Sequence, residues 1–318
     1  MIGSIIKWQA RIKIGRWNSR EDWVKSVHSR AACWLERPPH IQLPGKTARE
    51  RVLTWQVGAL LLACDNNSVR NYASKYSELL SIPTVESTFL AYALKAKGVL
   101  SQDDEEQIKA RFEHYADSGM VPYHGKRFFV DTIGMICPFL YTCGMDDLAD
   151  RQISGYDSAL YAGVFPFHSY DFERKLPLGV CDWARGTGWY ILGLLGSDHN
   201  RVRILKLADN MLRLQRRDGG FGCFLFNPES HIESSGSAVA GLLFERAYRL
   251  SGETQYLLAA KKVEKALMGM TRRDGSLDYA QGDTSGAGMY SDRFDILPFA
   301  QGMTLLLVER LDTYNKHE

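Results

Sequence analysis

The feature that most constrains this chain is a repeat: six separate stretches read as helices that are apolar on nearly every side. They cover residues 55–64 (WQVGALLLAC), 84–94 (TVESTFLAYAL), 131–140 (DTIGMICPFL), 185–195 (RGTGWYILGLL), 235–244 (SGSAVAGLLF) and 301–308 (QGMTLLLV). A helix without a polar face cannot lie on a surface, so other helices must enclose each of them. Between them run amphipathic stretches such as 103–115, 200–215 and 254–268, whose charged outer faces suit the enclosing layer. Alternating β-branched runs are almost absent, so the expectation is an all-α chain. Inner and outer helices in alternation, at a period of tens of residues, predict stacked helical hairpins. Closing them into a ring sets every inner-helix start around one pore. Those starts carry Gln56, Glu86, Asp131, Arg185, Ser235 and Gln301. Polar groups on one rim of an apolar torus describe a pocket; equally, polar residues begin helices because they cap free backbone N–H groups.

No linker or low-complexity stretch divides the 318 residues, and 45% hydrophobic with 24% charged residues is a globular composition. Lys+Arg 39 against Asp+Glu 37 is too balanced to suggest nucleic acid or an anionic membrane as partner. The local basic stretch 7–16 (KWQARIKIGR) reads as an amphipathic start packed on the body. No apolar run reaches the roughly 18 residues of a membrane span, and the apolar start of MIGSIIKWQARIKIGRW is too short for a signal peptide. A cytoplasmic location is expected. Six scattered cysteines (33, 64, 137, 143, 181, 223), none in a Cys-x-x-Cys pair, read as buried free thiols, with no metal site signalled.

Asp131 is favoured at a helix start by the dipole and free N–H groups. Its chemical reading is a general acid, which needs burial or a neighbouring charge to keep its proton near neutrality. Glu86 is a second carboxylate at an inner-helix start; two acids across a pocket push one pKa up, whereas a plain helix-start role after Pro83 and Thr84 is the alternative. DWARGTGWY (182–190) is the most informative segment. Trp183 and Trp189 can wall a sugar ring, Arg185 offers a fork matched to a carboxylate, and Gly186 and Gly188 let backbone approach a ligand. Its bland reading is an ion-paired arginine with both tryptophans in the core. His168 and Asp171 (FHSYD) and His124 (VPYHG) are loop residues open to either a substrate-holding or a structural role. DGGFGCF is a turn and not a phosphate loop, and no Gly-x-Ser-x-Gly elbow or His-Glu-x-x-His is present.

Taken in order, VDTIGMICPFL, FHSYD, WARGTGWY, DGGFGCF and ESSGSAVAGLLFERA resemble the unsaturated glucuronyl and rhamnogalacturonyl hydrolases, glycoside hydrolase families 88 and 105, over roughly residues 84–310. The resemblance implies an (α/α)6 barrel, a six-hairpin toroid in a single domain over 1–318, with 1–50 a poorly matched N-terminal helical part. It implies removal of a terminal 4,5-unsaturated uronic acid from lyase-generated oligosaccharides by hydration of the vinyl ether, with no metal or organic cofactor. By resemblance Asp131 is the general acid/base, Glu86 its supporting carboxylate, and Arg185 the arginine near the uronate. Trp183 and Trp189 fall on pocket tryptophans, and His168 and His124 on histidines that help hold the substrate. The chain departs from the family at Glu86 (aspartate there), Thr187 (commonly asparagine) and Phe129 (commonly tryptophan). Those departures keep open a tailoring hydrolase for a saturated bacterial surface glycan, and Trp183, Trp189 and Arg185 would suffice for a third reading, a non-catalytic carbohydrate-binding toroid.

Overall fold

The computed structural model describes residues 14–37, 54–81, 84–113, 115, 119–123, 125 and 127–315. Among them are twelve α-helices: α1 (Arg20–Glu36), α2 (Thr54–Leu62), α3 (Asn66–Tyr76), α4 (Val85–Ala96), α5 (Gln102–Glu113), α6 (Asp131–Thr142), α7 (Asp146–Leu160), α8 (Ala184–Leu194), α9 (Arg201–Leu214), α10 (Ser234–Ser251), α11 (Thr254–Gly269) and α12 (Pro298–Asn315). The even-numbered helices are the six apolar stretches of the sequence. Each packs on the next, and α12 packs back on α2, which closes the ring.

Burial separates the two layers as the apolar pattern demands. Every residue of α2 and of α8 is buried, whereas α9 buries only Ile204, Leu207, Ala208 and Met211, one stripe at helical spacing. Inner helices approach to backbone contact because glycines occupy their seams. A Cβ on Gly302 of α12 would stand 2.2 Å from the Ala59 carbonyl oxygen of α2, and one on Gly134 of α6 would stand 2.3 Å from the Trp189 oxygen of α8. Within the poorly matched 1–50 region, α1 is an outer helix. Ser19 caps it, Trp23 donates to Thr271 Oγ1 at 2.8 Å, and Arg20 pairs with Glu264 and Asp312. The basic stretch 7–16 lies largely outside the described residues.

Three small antiparallel sheets sit at inner-helix starts. β1 (Arg127–Phe129), β2 (Ser169–Asp171) and β3 (Leu176–Leu178) form one, with Phe129 opposite Ser169 and Ser169 opposite Leu178, and β1 runs directly into α6. β4 (Phe221–Gly222) pairs with β5 (Ile232–Glu233) ahead of α10, and β6 (Ala280–Gln281) pairs with β7 (Phe294–Asp295) ahead of α12. No described helix is long and apolar enough to cross a membrane. All six cysteines are unpaired; Cys64, Cys137 and Cys223 are buried as expected, while Cys33 is exposed because it lies off the Trp23–Val27–Ala31–Trp34 stripe of α1.

Candidate active site

The rim of the ring gathers Asp131, His168, Arg185 and Trp183, and it does so through backbone pairing. Beyond the Phe129–Ser169 pair, Val130 N–H donates to the His168 carbonyl at 2.9 Å, so His168 stands across from the residue before Asp131. His168 Nε2 lies 3.7 Å from Asp131 Oδ2. That gap is too long for a hydrogen bond. Neither partner is charged by the other: burial, with help from the Arg185 charge, holds His168 down at about 4, so its imidazole is neutral at pH 7.

Asp131 is displaced the opposite way. Burial lifts its carboxyl to about 7, against a hydrogen bond from its own backbone N–H and the pull of Arg185; Asp283 and Glu86 add repulsion that lifts it further. Its Oδ2 is buried and has no hydrogen-bond partner. A buried acid that keeps its proton near neutrality, with one oxygen uncommitted, has the properties of a proton donor.

Glu86 sits in the first turn of α4, where Thr84 is the cap, and accepts a 2.7 Å hydrogen bond from the Tyr123 hydroxyl. His124 lies outside the described residues.

The two tryptophans do not form open walls, which corrects the expectation. Trp183 is 3% exposed and Trp189 1% exposed. Trp183 ends the loop ahead of α8; its indole N–H donates to Gln281 Oε1 at 2.9 Å, and its ring backs His168, Tyr290 and the Arg185 guanidinium, the last at 5.4 Å. Trp189 follows Arg185 by one helical turn and therefore lies deeper on the same face, edge-on to Trp55 and Phe89 and against Phe299.

Arg185 is 2% exposed. Its Nη2 donates to the Gly282 carbonyl at 2.5 Å, and its Nη1 has no hydrogen-bond partner, 3.7 Å from Asp283 Oδ1. Asp283 is a site carboxylate that the sequence reading missed. Unpartnered buried polar atoms also include the Gln56 amide, Thr187 Oγ1, Ser169 Oγ and Ser234 Oγ, all at or beside inner-helix starts. Buried polar groups are rarely left unsatisfied, so such a concentration marks a place built for a polar ligand. Among the described residues no group of three or more His, Cys, Asp or Glu could hold a metal ion.

Other rim residues are structural. Gln301 accepts from Leu277 N–H and donates to the Val27 and Gly275 carbonyls. Asp171 accepts from the Glu173 and Arg174 N–H groups and closes a turn. The Ser235 hydroxyl donates to Glu233, whose fully buried carboxylate also accepts from Ser235 N–H, Gly236 N–H and Gln281 N–H. This ties α10 to the β6–β7 loop that presses on Arg185. Glu233→Gln sets an amide N–H₂ against one of these donors and is expected to cost about 2 kcal/mol, measured as a lower urea midpoint with unchanged m.

No family profile matches the sequence, and no curated protein matches it. Solved structures do. An unsaturated glucuronyl hydrolase specific for heparin superposes with TM-score 0.72 at 16% identity, over 93% of this chain and 98% of that one. A family 105 glycoside hydrolase of C. acetobutylicum gives 0.67 at 14%, over 91% and 99%, and a polysaccharide lyase gives 0.71 at 15%, over 94% and 98%. The chain is thus a closed toroid of six helical hairpins with the fold of the unsaturated glucuronyl hydrolases and of glycoside hydrolase families 88 and 105.

Proposed function

We propose that the chain removes a terminal 4,5-unsaturated uronic acid from lyase-generated oligosaccharides by adding water across the vinyl-ether double bond. The observation that carries this is Asp131: a largely buried carboxyl at an inner-helix start, lifted to about 7, with an unpartnered oxygen 3.7 Å from a neutral histidine and within the field of the buried Arg185. Proteins of this fold are named as unsaturated glucuronyl hydrolases, and one is described with the oligosaccharide dGlcA-Glc-Rha-Glc. The resemblance in VDTIGMICPFL and WARGTGWY points the same way.

In this reading the protonated Asp131 delivers its proton to C4 of the unsaturated ring, and positive charge develops at C5 and the ring oxygen. The Asp131 carboxylate so formed takes a proton from a water as that water's oxygen bonds to C5. The hemiketal opens and the remaining oligosaccharide leaves with its proton, one water being consumed per cleavage. One carboxyl serves as acid and then base, so the spacing rule for paired glycosidase carboxylates does not apply. Burial, with added repulsion from Asp283 and Glu86, keeps the Asp131 proton in place, Arg185 faces the uronate carboxylate, and His168 holds a sugar hydroxyl as a neutral donor or acceptor. Unpaired thiols throughout suit the cytoplasm as the place of reaction.

The test is a panel of lyase-generated unsaturated disaccharides, followed by loss of the ultraviolet absorbance of the conjugated double bond. Retention of that absorbance on every substrate sinks the proposal. The pH profile is a second check. Because the reactive form carries the proton, kcat is expected to be level on the acid side and to fall about tenfold per pH unit above pH 7. A profile already falling near pH 4 contradicts the role of Asp131.

One observation favours a different substrate: a single arginine, Arg185, acts on both Asp131 and Asp283, and Glu86 adds a third carboxyl beside those two acids. That balance suits a saturated sugar without a carboxylate, as in a tailoring hydrolase of a surface glycan. Turnover of saturated and not of unsaturated sugars would select this reading.

A further inference from the structure

Asp283 bears on what the site accepts. It follows Gly282, whose carbonyl holds Arg185 Nη2 at 2.5 Å, on the loop between β6 and β7. Its Oδ1 is 3.7 Å from Arg185 Nη1: close enough for strong attraction in a buried site, too far for a hydrogen bond. Nη1 itself is buried and without a hydrogen-bond partner. The guanidinium therefore has one edge fastened to the loop and the other aimed at a carboxylate it does not grip. The Asp283 side chain is 22% exposed, so water reaches it, whereas that of Arg185 is 2% exposed.

The groups around Asp283 come from four segments. Arg185 of α8 attracts it and Glu86 of α4 repels it, while Asp131 of α6, protonated up to about pH 7, and the Tyr123 hydroxyl ahead of β1 face the same space as neutral groups. Burial raises the Asp283 carboxyl above its ordinary range, with Glu86 adding to the rise and Arg185 opposing it. His168 is neutral at pH 7 and contributes no positive charge. A uronate entering this site brings one more carboxylate to a cation already shared.

We infer that Asp283 is a selectivity residue: it holds the place on Arg185 that an incoming uronate carboxylate needs, so uronate binds in competition with ionised Asp283. The inference rests on the reading of the site as a uronate pocket. It makes affinity for the acid sugar depend on the protonation of a loop residue that gives no proton to the substrate. At higher pH the ionised Asp283 stays on Arg185 and the uronate is held weakly; as pH falls Asp283 takes up a proton and releases the guanidinium edge.

Asp283→Asn keeps the size and removes the charge. The probes are free glucuronate and galacturonate, with glucose as the uncharged control, measured by calorimetry from pH 5.5 to 8. The variant is expected to bind uronate about tenfold more tightly than the wild type at pH 8, with the difference shrinking as pH falls and glucose unaffected. Because Asp283 also raises the Asp131 carboxyl, the same pair is compared in an Asp131→Asn background, where only the Asp283 charge differs. Asp283→Glu, which retains the charge, is expected to stay within a few-fold of the wild type.

Equal or weaker uronate binding by Asp283→Asn at pH 8 overturns the inference and makes Asp283 a support for Arg185. An equal gain for glucose overturns it too, since the effect would not be one of charge. Absence of uronate binding in both proteins also overturns it. Turnover is a separate readout: a wild type that binds glucuronate and leaves every unsaturated disaccharide intact removes the proposed reaction without deciding the role of Asp283.

Discussion

Asp131→Asn is expected to lower kcat on any unsaturated disaccharide the wild type cleaves by at least about a thousandfold, and at the same time to stabilise the protein. Both effects come from one carboxyl. The amide cannot give a proton to C4 or take one from water, and no second acid replaces it: Glu86 is engaged by Tyr123, and Asp283 stands against Arg185. The stability effect follows from linkage. The folded-state pKa is raised from 3.8 to about 7, so the fold holds this proton more tightly than the unfolded chain does. Stability therefore declines as pH rises across that interval and stays lower above it. Removing the ionisable group relieves a penalty of up to ~4 kcal/mol. The advantage of the variant is expected to be absent near pH 4, to grow toward pH 7 and to level off beyond it. Denaturation midpoints at pH 4, 6 and 8 check this; equal midpoints at pH 8 would show that Asp131 is not held protonated by burial.

The second large effect concerns the ring itself. Gly302→Ala places a methyl group 2.2 Å from the Ala59 oxygen, 2.4 Å from its carbonyl carbon and 2.8 Å from Leu60 N. All three are backbone atoms of a buried helix, so no side chain can turn aside, and α12 and α2 must separate. The expected loss is ~3–5 kcal/mol, at or beyond the upper end for overpacking, and it exceeds the ~1 kcal/mol that alanine gains over glycine in a helix. Gly269→Ala is the control. Nothing lies within 4 Å of its Cβ position, and it is expected to be neutral or slightly stabilising. Thermal unfolding of the two variants side by side reads the difference. Equal melting temperatures would mean that the seam has room the geometry denies.

The architecture was legible because its physics is local. A helix such as WQVGALLLAC announces that it is enclosed, and six of them alternating with amphipathic partners leave few arrangements. The site was legible only in part. Asp131 and Arg185 stand out because each begins an apolar helix, but so does Gln301, which proved to bind Leu277, Val27 and Gly275. A polar side chain at a helix start looks the same in sequence whether it faces a ligand or a neighbouring backbone. Trp189 misled for a similar reason: its spacing from Arg185 fixes the helix face but not the depth along the axis. Asp283 was missed because it has no periodicity to betray it. The available signal was the length of the loop between α11 and α12, where glycines, carboxylates and Tyr290 lie between two apolar helices; loops of that length are seldom mere connections.

The closure of α12 onto α2 joins elements far apart in sequence, and the β6–β7 loop that fastens Arg185 lies immediately before α12. During synthesis, five inner helices emerge before the sixth can seal the circle, and until then α2 has an uncovered flank. Joining remote segments is entropically costly and slow, and chains caught before it expose apolar surface. Completion of the torus and immobilisation of the arginine are thus the same late event. A nascent or partly assembled molecule has Asp131 in place on α6 while still lacking the loop that fastens Arg185, so the rim is complete only with the last turn of the ring.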